Sequence, residues 1–266
     1  MVEQLYHTPD IYRIYVPLPD NPLKYLNCYV LVSDGETLII DTGFNRPECK
    51  QALFDGLDEL QVDFAHTKLF LTHLHGDHSG LTEELTARGV PVFMNAIDYD
   101  YLCQELASGG WQAMEQIFLS EGFPMEEIEK QKKGNQARLY SPHHPFPASK
   151  VSDNDLLTVG GITLRCIHTP GHTPGHTCLY IEDKEILFSG DHILFDITPN
   201  ISVWRNIPYS LADYLESLQK IKGLKVSHTK ETAENRYRAL CHSSDLFFYS
   251  RRFSDDDFCE HVTHYA

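Results

Sequence analysis

The sequence predicts an α/β fold in which two β-sheets pack face to face and helices cover their outer sides. Short apolar or alternating stretches favour strands at 11–16, 26–32, 37–40, 68–71, 156–159, 162–167, 178–181 and 186–188. Apolar residues at helical spacing predict helices after Asn45, from about Ser79, across much of 96–133, over 211–221 and around 233–240. The order strands, helices, strands, helices suits two similar halves, although no internal repeat is visible.

Length, composition and charge narrow the class of protein. The 266 residues suffice for one large domain or two small ones, and we expect a single domain over 1–266. The 42% of hydrophobic residues is an ordinary globular value. The net charge of −16 disfavours a nucleic-acid partner, because binding a phosphate backbone usually requires a basic face. No run of 18 apolar residues indicates a membrane span, and the first residues lack the basic and apolar regions of a signal peptide. We therefore expect a cytoplasmic protein with no nucleic-acid or membrane partner.

The seven cysteines do not define a site. They are scattered, odd in number and never spaced as CxxC. Neither a disulfide framework nor a cysteine zinc finger is therefore indicated, and we expect most of them to be buried thiols.

Several segments are expected to shape the fold or to line a pocket rather than to supply the chemistry of a site. Asn45 is the expected N-cap of the first helix, with Pro47 early in its first turn. The helical segment 96–133 and the Pro- and His-rich loop 141–147 are the expected walls of a pocket. Trp204 is expected to add an aromatic surface to it.

Residues 72–78, with the sequence THLHGDH, are the strongest functional signal in the chain. Four residues of metal-ligand type lie within six positions, directly after a buried strand. His73 and His75 are two positions apart, so their side chains project to the same side of an extended backbone. Gly76 then allows a turn that brings the next two ligands back over the same centre. Because imidazoles and carboxylates bind zinc, iron or manganese, the motif predicts a metal site rather than a surface histidine cluster.

Two later motifs add to this signal. Residues 168–176, HTPGHTPGH, contain Pro-Gly twice, which predicts a rigid loop of tight turns that presents an imidazole. Residues 188–191, FSGD, place Asp191 at the end of a buried strand. Each motif alone has an ordinary interpretation, as a turn or as a helix cap. Their order along the chain makes them informative.

In this order the three motifs resemble those of the metallo-β-lactamase-fold hydrolases, particularly the branch similar to glyoxalase II. That family carries an HxHxDH motif, a TPGHT-type loop, a strand that ends in Gly-Asp and a late histidine. The resemblance covers about 11–230 and includes the turn 41–43, where the family has an Asp that supports the site from behind the ligands. It implies a four-layer αββα sandwich with a helical insertion at about 96–133. The C-terminal tail, about 229–266, is unlike the usual tail of the family.

The resemblance implies a centre of two divalent metal ions, zinc in the first place and iron or manganese as alternatives. Seven metal ligands carry over residue by residue: His73, His75, Asp77, His78, His172, Asp191 and His228. His73, His75 and His172 would hold one metal. Asp77 and His78 would hold the second, and Asp191 would bridge both.

The two remaining histidines of these segments match the family less directly. His176 is expected to be structural, because His172 is the histidine that directly follows Thr-Pro-Gly. His228 follows the predicted helix 211–221 and comes 37 residues after Asp191, as suits the late family histidine. Its neighbours are Ser and Thr rather than the glycines of the family turn, so His228 is the ligand that departs most from the pattern.

The implied reaction is hydrolysis of a small acyl substrate, a thioester or another ester. Two cations would hold a bridging hydroxide as the nucleophile and would stabilise the developing oxyanion. Asp77 would also act catalytically by passing a proton to the leaving group. The implied partner is thus a small-molecule acyl substrate, and homo-oligomerisation is left open.

Other activities of this fold family are weighed against the same residues. A flavodiiron oxidoreductase tends to place Glu where the chain has His75, and a lactonase relative is expected to show Tyr shortly after Asp191. A nuclease is disfavoured by the charge. A mono-iron persulfide dioxygenase shares His, His and Asp ligands and stays an alternative, as does a non-catalytic relative that binds metal.

The motif generates a first prediction about metal content. Purified protein should contain about one to two equivalents of zinc, iron or manganese by elemental analysis. His73→Ala should remove most of the metal, because losing one of three ligands opens the tighter site. Wild-type metal content in that variant would contradict the assignment of the first site.

Overall fold

The structure is a computed structural model that describes residues 1–108, 115–116, 118–195, 197–202, 204 and 207–231. The predicted helix around 233–240 and nearly all of the predicted tail lie outside the described residues. Within them, no helix has both the length and the apolar character needed to cross a membrane. The five cysteines that the structure describes are free thiols.

In the described part of the chain, one sheet contains seven strands that are neighbours in sequence order. They are β1 (Val2–His7), β2 (Asp10–Pro17), β3 (Tyr25–Ser33), β4 (Glu36–Ile40), β5 (Thr67–Leu71), β6 (Val92–Asn95) and β7 (Ser149–Val151). Strands β1 to β4 pair antiparallel, and β4 to β7 pair parallel. Three strands of this sheet were not predicted from the sequence: β6, which spans only four residues, and the edge strands β1 and β7, which show little apolar alternation.

The second sheet has the order β12-β11-β10-β9-β8 over the described residues. Its strands are β8 (Leu156–Val159), β9 (Ile162–His168), β10 (Thr177–Ile181), β11 (Ile186–Gly190) and β12 (His228–Glu231). Only β12 runs parallel to its neighbour, β11. Strand β12 was not predicted, because its segment was interpreted as a ligand-bearing turn.

The helices of the described residues include both long and one-turn elements. They are α1 (Pro47–Glu59), α2 (Gly76–Ser79), α3 (Thr82–Thr86), α4 (Ala96–Ser108), α5 (Met125–Gly134), α6 (Gln136–Tyr140) and α7 (Ser210–Lys222). Asn45 was predicted to be the N-cap of α1, but the N-cap is Arg46, whose side chain makes no capping hydrogen bond. The reason is that Pro47 is itself the first helical residue, while the Asn45 N–H donates to the Tyr140 carbonyl at 2.8 Å.

Three apolar clusters show how the layers stack. Leu38, Ile40 and Phe70 of the first sheet meet Leu179 and Phe188 of the second, forming the core between the sheets. Alternate residues of the first sheet face α1, α3 and α4, and the outer face of the second sheet packs against α7. The predicted four-layer αββα sandwich is therefore confirmed.

Strands of both sheets end at one edge of this sandwich. Asp41 directly follows β4, Thr72 follows β5, Thr169 follows β9 and Asp191 follows β11. Because parallel strands and alternate strands of an antiparallel sheet point the same way, their carboxyl ends meet there. The motif residues are thus gathered at a single edge, which we call the loop edge.

Two tight hairpin turns join the sheets at the opposite edge. Gly160 and Gly161 connect β8 to β9 with φ of +48° and +77°. The Ser33 hydroxyl, at the end of β3, donates to the Gly160 carbonyl at 2.7 Å. A Cβ on Gly160 would overlap the Ser33 carbonyl, whereas a Cβ on Gly161 would find its nearest neighbour, Asp34 Oδ2, at 3.8 Å.

This contact predicts different costs for two adjacent substitutions. Gly161→Ala should cost only about 1–2 kcal/mol of unfolding free energy, for a left-handed alanine. Gly160→Ala should cost about 1–3 kcal/mol more, because the backbone of the first sheet must also move. Chemical denaturation of both variants measures the difference. Equal losses would show that the two turns are not in tight contact.

Candidate metal centre

Strand β5 delivers two imidazoles to the loop edge. Residues 72–75 follow the strand, and α2 begins at Gly76 with His75 as its N-cap residue in extended conformation. His73 Nε2 and His75 Nδ1 lie 3.0 Å apart. The two side chains therefore converge, as their spacing in extended backbone predicts.

The loop between β9 and β10 brings His172 to the same point from the second sheet. Gly171 has a φ of +136°, and a Cβ there would overlap Tyr214 of α7. Only glycine suits this close approach to the helix. His172 Nε2 lies 3.0 Å from His75 Nδ1 and 3.3 Å from His73 Nε2. Three ring nitrogens from two sheets thus face one point.

These three nitrogens have the spacing and protonation that a metal ion requires. Tetrahedral zinc with bonds of 2.0–2.1 Å places its ligand atoms about 3.3 Å apart, close to the observed separations. Burial, followed by the neighbouring imidazoles, holds the pKa of His73 and of His75 well below the usual value. Burial also lowers the pKa of His172. All three rings are therefore neutral at pH 7, the form that binds a metal.

A second group of ligand atoms lies beside the first. Asp191 Oδ2 is 3.5 Å from His78 Nε2 and 3.6 Å from His172 Nε2, so this carboxylate faces both groups. Asp77 Oδ2 is 3.8 Å from His78 Nε2. Ligand atoms of His73, His78 and Asp191 also lie within 4.8 Å of one another. The structure therefore brings together six of the seven predicted ligands.

The second group attracts a cation more strongly than the first. Burial disfavours the protonated form of His78, but the carboxylates of Asp191, Asp41 and Asp77 outweigh it and raise its pKa well above the usual value. Burial also raises the pKa of Asp77. Because three carboxyl groups surround one imidazole, a positive charge is favoured here, whether it is a proton or a metal ion.

Groups behind the ligands set the direction of the rings. Asp41 Oδ2 lies 2.9 Å from His78 Nδ1, and the same carboxyl accepts the Thr72 N–H at 2.9 Å and the Thr72 hydroxyl at 2.8 Å. The Asn200 carbonyl lies 2.7 Å from His172 Nδ1. Both imidazoles thus turn Nε2 toward the centre. The supporting position predicted for Asp41 is confirmed, whereas Asn200 was missed because a backbone carbonyl leaves no mark in the sequence.

His176 supports the centre without belonging to it. Its Nδ1 lies 2.8 Å from the Thr169 hydroxyl, and its Nε2 accepts the Asp191 N–H at 3.2 Å. Gly190 has a φ of +51°, and a Cβ there would stand 2.6 Å from His176 Nε2. The structural role predicted for His176 is confirmed, since its ring packs under the turn that presents Asp191.

The structure does not bring His228 to the centre. His228 begins β12 and pairs with Ile186, the first residue of β11, whereas Asp191 follows the last residue of that strand. At about 3.3 Å per strand residue, this separates His228 from Asp191 by roughly 15 Å. The His228 ring instead lies 5.5 Å from the ring of Tyr6. The prediction that His228 is the seventh ligand is therefore wrong. Strand β12 runs toward the loop edge, but His228 lies at the end of β12 that is far from that edge.

Comparison with known protein families agrees with this geometry. The sequence model of the metallo-beta-lactamase superfamily matches residues 22–227. The chain belongs to this superfamily. A solved metallo-beta-lactamase family protein from Thermus thermophilus superposes with a TM-score of 0.75 at 29% identity, covering 91% of this chain and 80% of that one.

Of two curated relatives of this metallo-beta-lactamase superfamily member, one is named for an enzymatic activity and the other is not. An atrochrysone carboxyl ACP thioesterase of Emericella nidulans is 28% identical over 220 residues, covering 83% of this chain and 53% of the relative. An uncharacterized protein of Aquifex aeolicus is 29% identical over 177 residues, covering 65% of this chain and 68% of the relative. The chain spans about half the length of the thioesterases it matches.

A cleft of about 450 Å³ leads to the centre of this superfamily member. Its described lining consists of Asp20, Asn21, Pro22, Phe44, His75, Asp77, Gly134, Asn135, Gln136, Ala137 and Asn200. The walls therefore come from the loop after β2 and the junction of α5 and α6. Neither of the predicted walls, 96–133 and 141–147, contributes to the described lining of this cleft. Leu102 and Glu105 of α4 and His143 instead line a second cavity of about 240 Å³.

Trp204 contacts two of the candidate ligands. Its ring stacks on that of His75, with centroids 6.0 Å apart and an angle of 27°. Its indole N–H donates to the His172 carbonyl at 3.2 Å. Trp204 therefore packs against the candidate ligands, whereas the described lining of the cleft, where it was predicted, does not include it.

The position of His228 generates a prediction that separates two histidines. His172→Ala should lower the ratio of metal to protein, because it removes one of three converging nitrogens. His228→Ala should leave that ratio at the wild-type value, since the ring lies at the other end of the sheet. Elemental analysis of both variants, prepared in parallel, makes the comparison. A similar fall in both would return His228 to the ligand set.

Proposed function

We propose that the protein is a metal-dependent hydrolase of a small acyl substrate, a thioester or another ester. The observation that carries this proposal is the convergence of three neutral imidazoles beside a group of carboxylates. One carboxylate, Asp191, faces both sets at 3.5–3.6 Å. Sites of this composition suit two cations that share one oxygen ligand.

In this proposal each of the two groups of ligand atoms described above would hold one metal ion. His73, His75 and His172 would hold one ion, Asp77 and His78 would hold the other, and Asp191 would contribute to both. Zinc fits the nitrogen-rich first group best, and iron or manganese would also accept these donors. Bound metal would supply a water of lowered pKa and a Lewis acid for an acyl carbonyl.

The surrounding residues have defined tasks in this reaction. Asp41 and the Asn200 carbonyl hold the Nδ1 sides of two imidazoles, so that their Nε2 atoms stay directed at the ions. Asp77 lines the cleft, and its side chain keeps 15% exposure. Because burial raises its pKa, we assign to Asp77 the transfer of a proton to the departing thiolate or alkoxide.

The activity named for a relative and the charge of the protein narrow the range of substrate classes. The thioesterase activity named for the Emericella nidulans relative supports a thioester as the first choice. Neither Lys nor Arg is found among the described residues that line the cleft. With a net charge of −16, the protein offers little attraction to a strongly anionic acyl group. We therefore propose a neutral acyl chain, and a cytoplasmic location suits the free thiols of the described cysteines.

One observation favours a second function. The position of His228 leaves the second group with Asp77, His78 and Asp191 as its described ligands, fewer than the sequence predicted. A centre that holds a single iron would need only the better-formed group, as in a persulfide dioxygenase. A metal ratio near one, iron as the metal and oxygen uptake with a persulfide substrate would establish this alternative.

Hydrolysis of short acyl N-acetylcysteamine thioesters tests the proposed function. Thiol release should require metal, stop on chelation and return when zinc is added back. Asp191→Asn should lower kcat/KM by at least about 100-fold, because it removes a negative charge between two cations. Asp183→Asn is the matched control, since Asp183 lies exposed in the turn between β10 and β11.

The outcomes of this assay separate the candidates. Fully metal-loaded protein that cleaves neither thioesters nor oxygen esters would refute the hydrolase. Near-normal turnover in Asp191→Asn would make Asp191 a structural turn residue instead.

A further inference from the structure

We infer that Asp98 is a positioning residue that locks the two ligand-bearing loops together and thereby sets the affinity of the three-histidine site. This inference rests on the proposed metal-dependent function. Asp98 lies in the first turn of α4, is not exposed to solvent and belongs to none of the sequence motifs.

The Asp98 carboxyl contacts both loops within one to three residues of a ligand. Its Oδ2 accepts the Leu74 N–H at 3.1 Å and the Thr173 hydroxyl at 2.6 Å. Its Oδ1 accepts the Gly175 N–H at 2.5 Å. Leu74 stands between His73 and His75, and Thr173 directly follows His172.

The spacing of the three imidazoles depends on how these loops are aligned. His73 and His75 follow a strand of the first sheet, whereas His172 comes from a loop of the second. The separations of 3.0 and 3.3 Å from His172 Nε2 therefore cross between the sheets. A group that bonds to both loops restrains these distances before metal binds, which reduces the ordering cost of binding.

An ordinary role as a helix cap does not account for Asp98. Capping of α4 is performed by Asn95, whose side-chain oxygen accepts the Ile97 N–H at 2.9 Å. Among the described residues, the donors to Asp98 are all uncharged. Burial raises the pKa of Asp98 to about 7 against these three hydrogen bonds. This carboxyl is expensive to keep buried, and its hydrogen-bond donors in the described part of the chain all belong to the ligand loops, which indicates a task in positioning them.

The same contact explains the second Pro-Gly of the repeated motif. A Cβ on Gly175 would stand 2.5 Å from the Asp98 nitrogen and 2.8 Å from its Oδ1. Glycine at this position lets the loop approach the start of α4 closely enough to bond. The HTPGHTPGH sequence therefore contains one Pro-Gly that presents His172 and one that docks the loop on Asp98.

Metal affinity of Asp98→Asn tests the inference. The amide places a donor against at least one of the two backbone N–H groups, so a bond to one loop is lost. The zinc dissociation constant, measured by competition with a chromophoric chelator, should rise about 10- to 100-fold. Activity should fall at limiting zinc and recover with excess zinc, with KM unchanged. Asp100→Asn is the matched control, because Asp100 lies two residues along α4 and pairs with Lys150 at the surface.

A milder variant, Thr173→Val, tests the inference if Asp98→Asn does not fold. Thr173→Val keeps the shape of the side chain and removes one of the three donors, so it should raise the zinc dissociation constant several-fold. Circular dichroism checks the fold of each variant. Wild-type zinc affinity in folded Asp98→Asn, or in Thr173→Val if the first does not fold, would overturn the inference.

Failure of this inference and failure of the proposed function give different results. Wild-type protein that binds zinc but cleaves no ester refutes the hydrolase, and the affinity comparison still decides the role of Asp98. Thioester hydrolysis with equal zinc affinity in all variants leaves the function standing and removes the inference. Wild-type protein that binds no metal ion would end both.

Discussion

Withdrawal of polar side chains from water is the constraint on which the rest of the structure depends. His73, His78, His172 and Asp191 have between 0% and 7% of their surface exposed. A polar group buried without partners costs several kcal/mol, so each must be matched by donors and acceptors. On the side away from the centre, the Asp41 carboxyl bonds to Thr72 and His78, and the Asn200 carbonyl bonds to His172. On the inner side the converging nitrogen and oxygen atoms could be matched by a metal ion.

The two-sheet architecture supplies the groups that this constraint demands. Strands of both sheets end at the loop edge, so short turns and the one-turn helix α2 carry all six candidate ligands without long connections. Several of these turns use left-handed backbone, with φ of +61° at Asp41, +136° at Gly171 and +51° at Gly190. Asp tolerates that region moderately well and glycine freely. The turn conformations thereby aim side chains that regular strands would direct elsewhere.

Charge and cleft chemistry follow from the same edge. The carboxyl groups of Asp41, Asp77 and Asp191 surround the His78 imidazole, and the cleft above it has no Lys or Arg among its described lining residues. Such a region concentrates cations and repels anions. In the proposed reaction a bound metal ion would supply the positive charge that polarises an acyl carbonyl, which is why we favour neutral acyl substrates.

Sequence reasoning succeeded where a few neighbouring residues decide the outcome. The α/β class follows from local periodicity, and the convergence of His73 with His75 follows from extended backbone. The rigid presentation of His172 follows from Pro-Gly turns, and the backing role of Asp41 follows from family resemblance. It failed at Asn45 by one residue, because Pro47 occupied the first helical position itself.

Local chemistry is thus what this sequence determined by itself: most of the strands, the turns, and six candidate ligands that the fold brings together. The tertiary structure alone decided the rest. His228 has suitable spacing from Asp191, yet a count of residues does not say which end of β12 meets the end of β11. Asp98 looks like any acidic residue in a first helical turn until two distant loops are brought to its carboxyl. Both depend on strand register and packing between sheets, which are set by contacts among residues far apart in the chain.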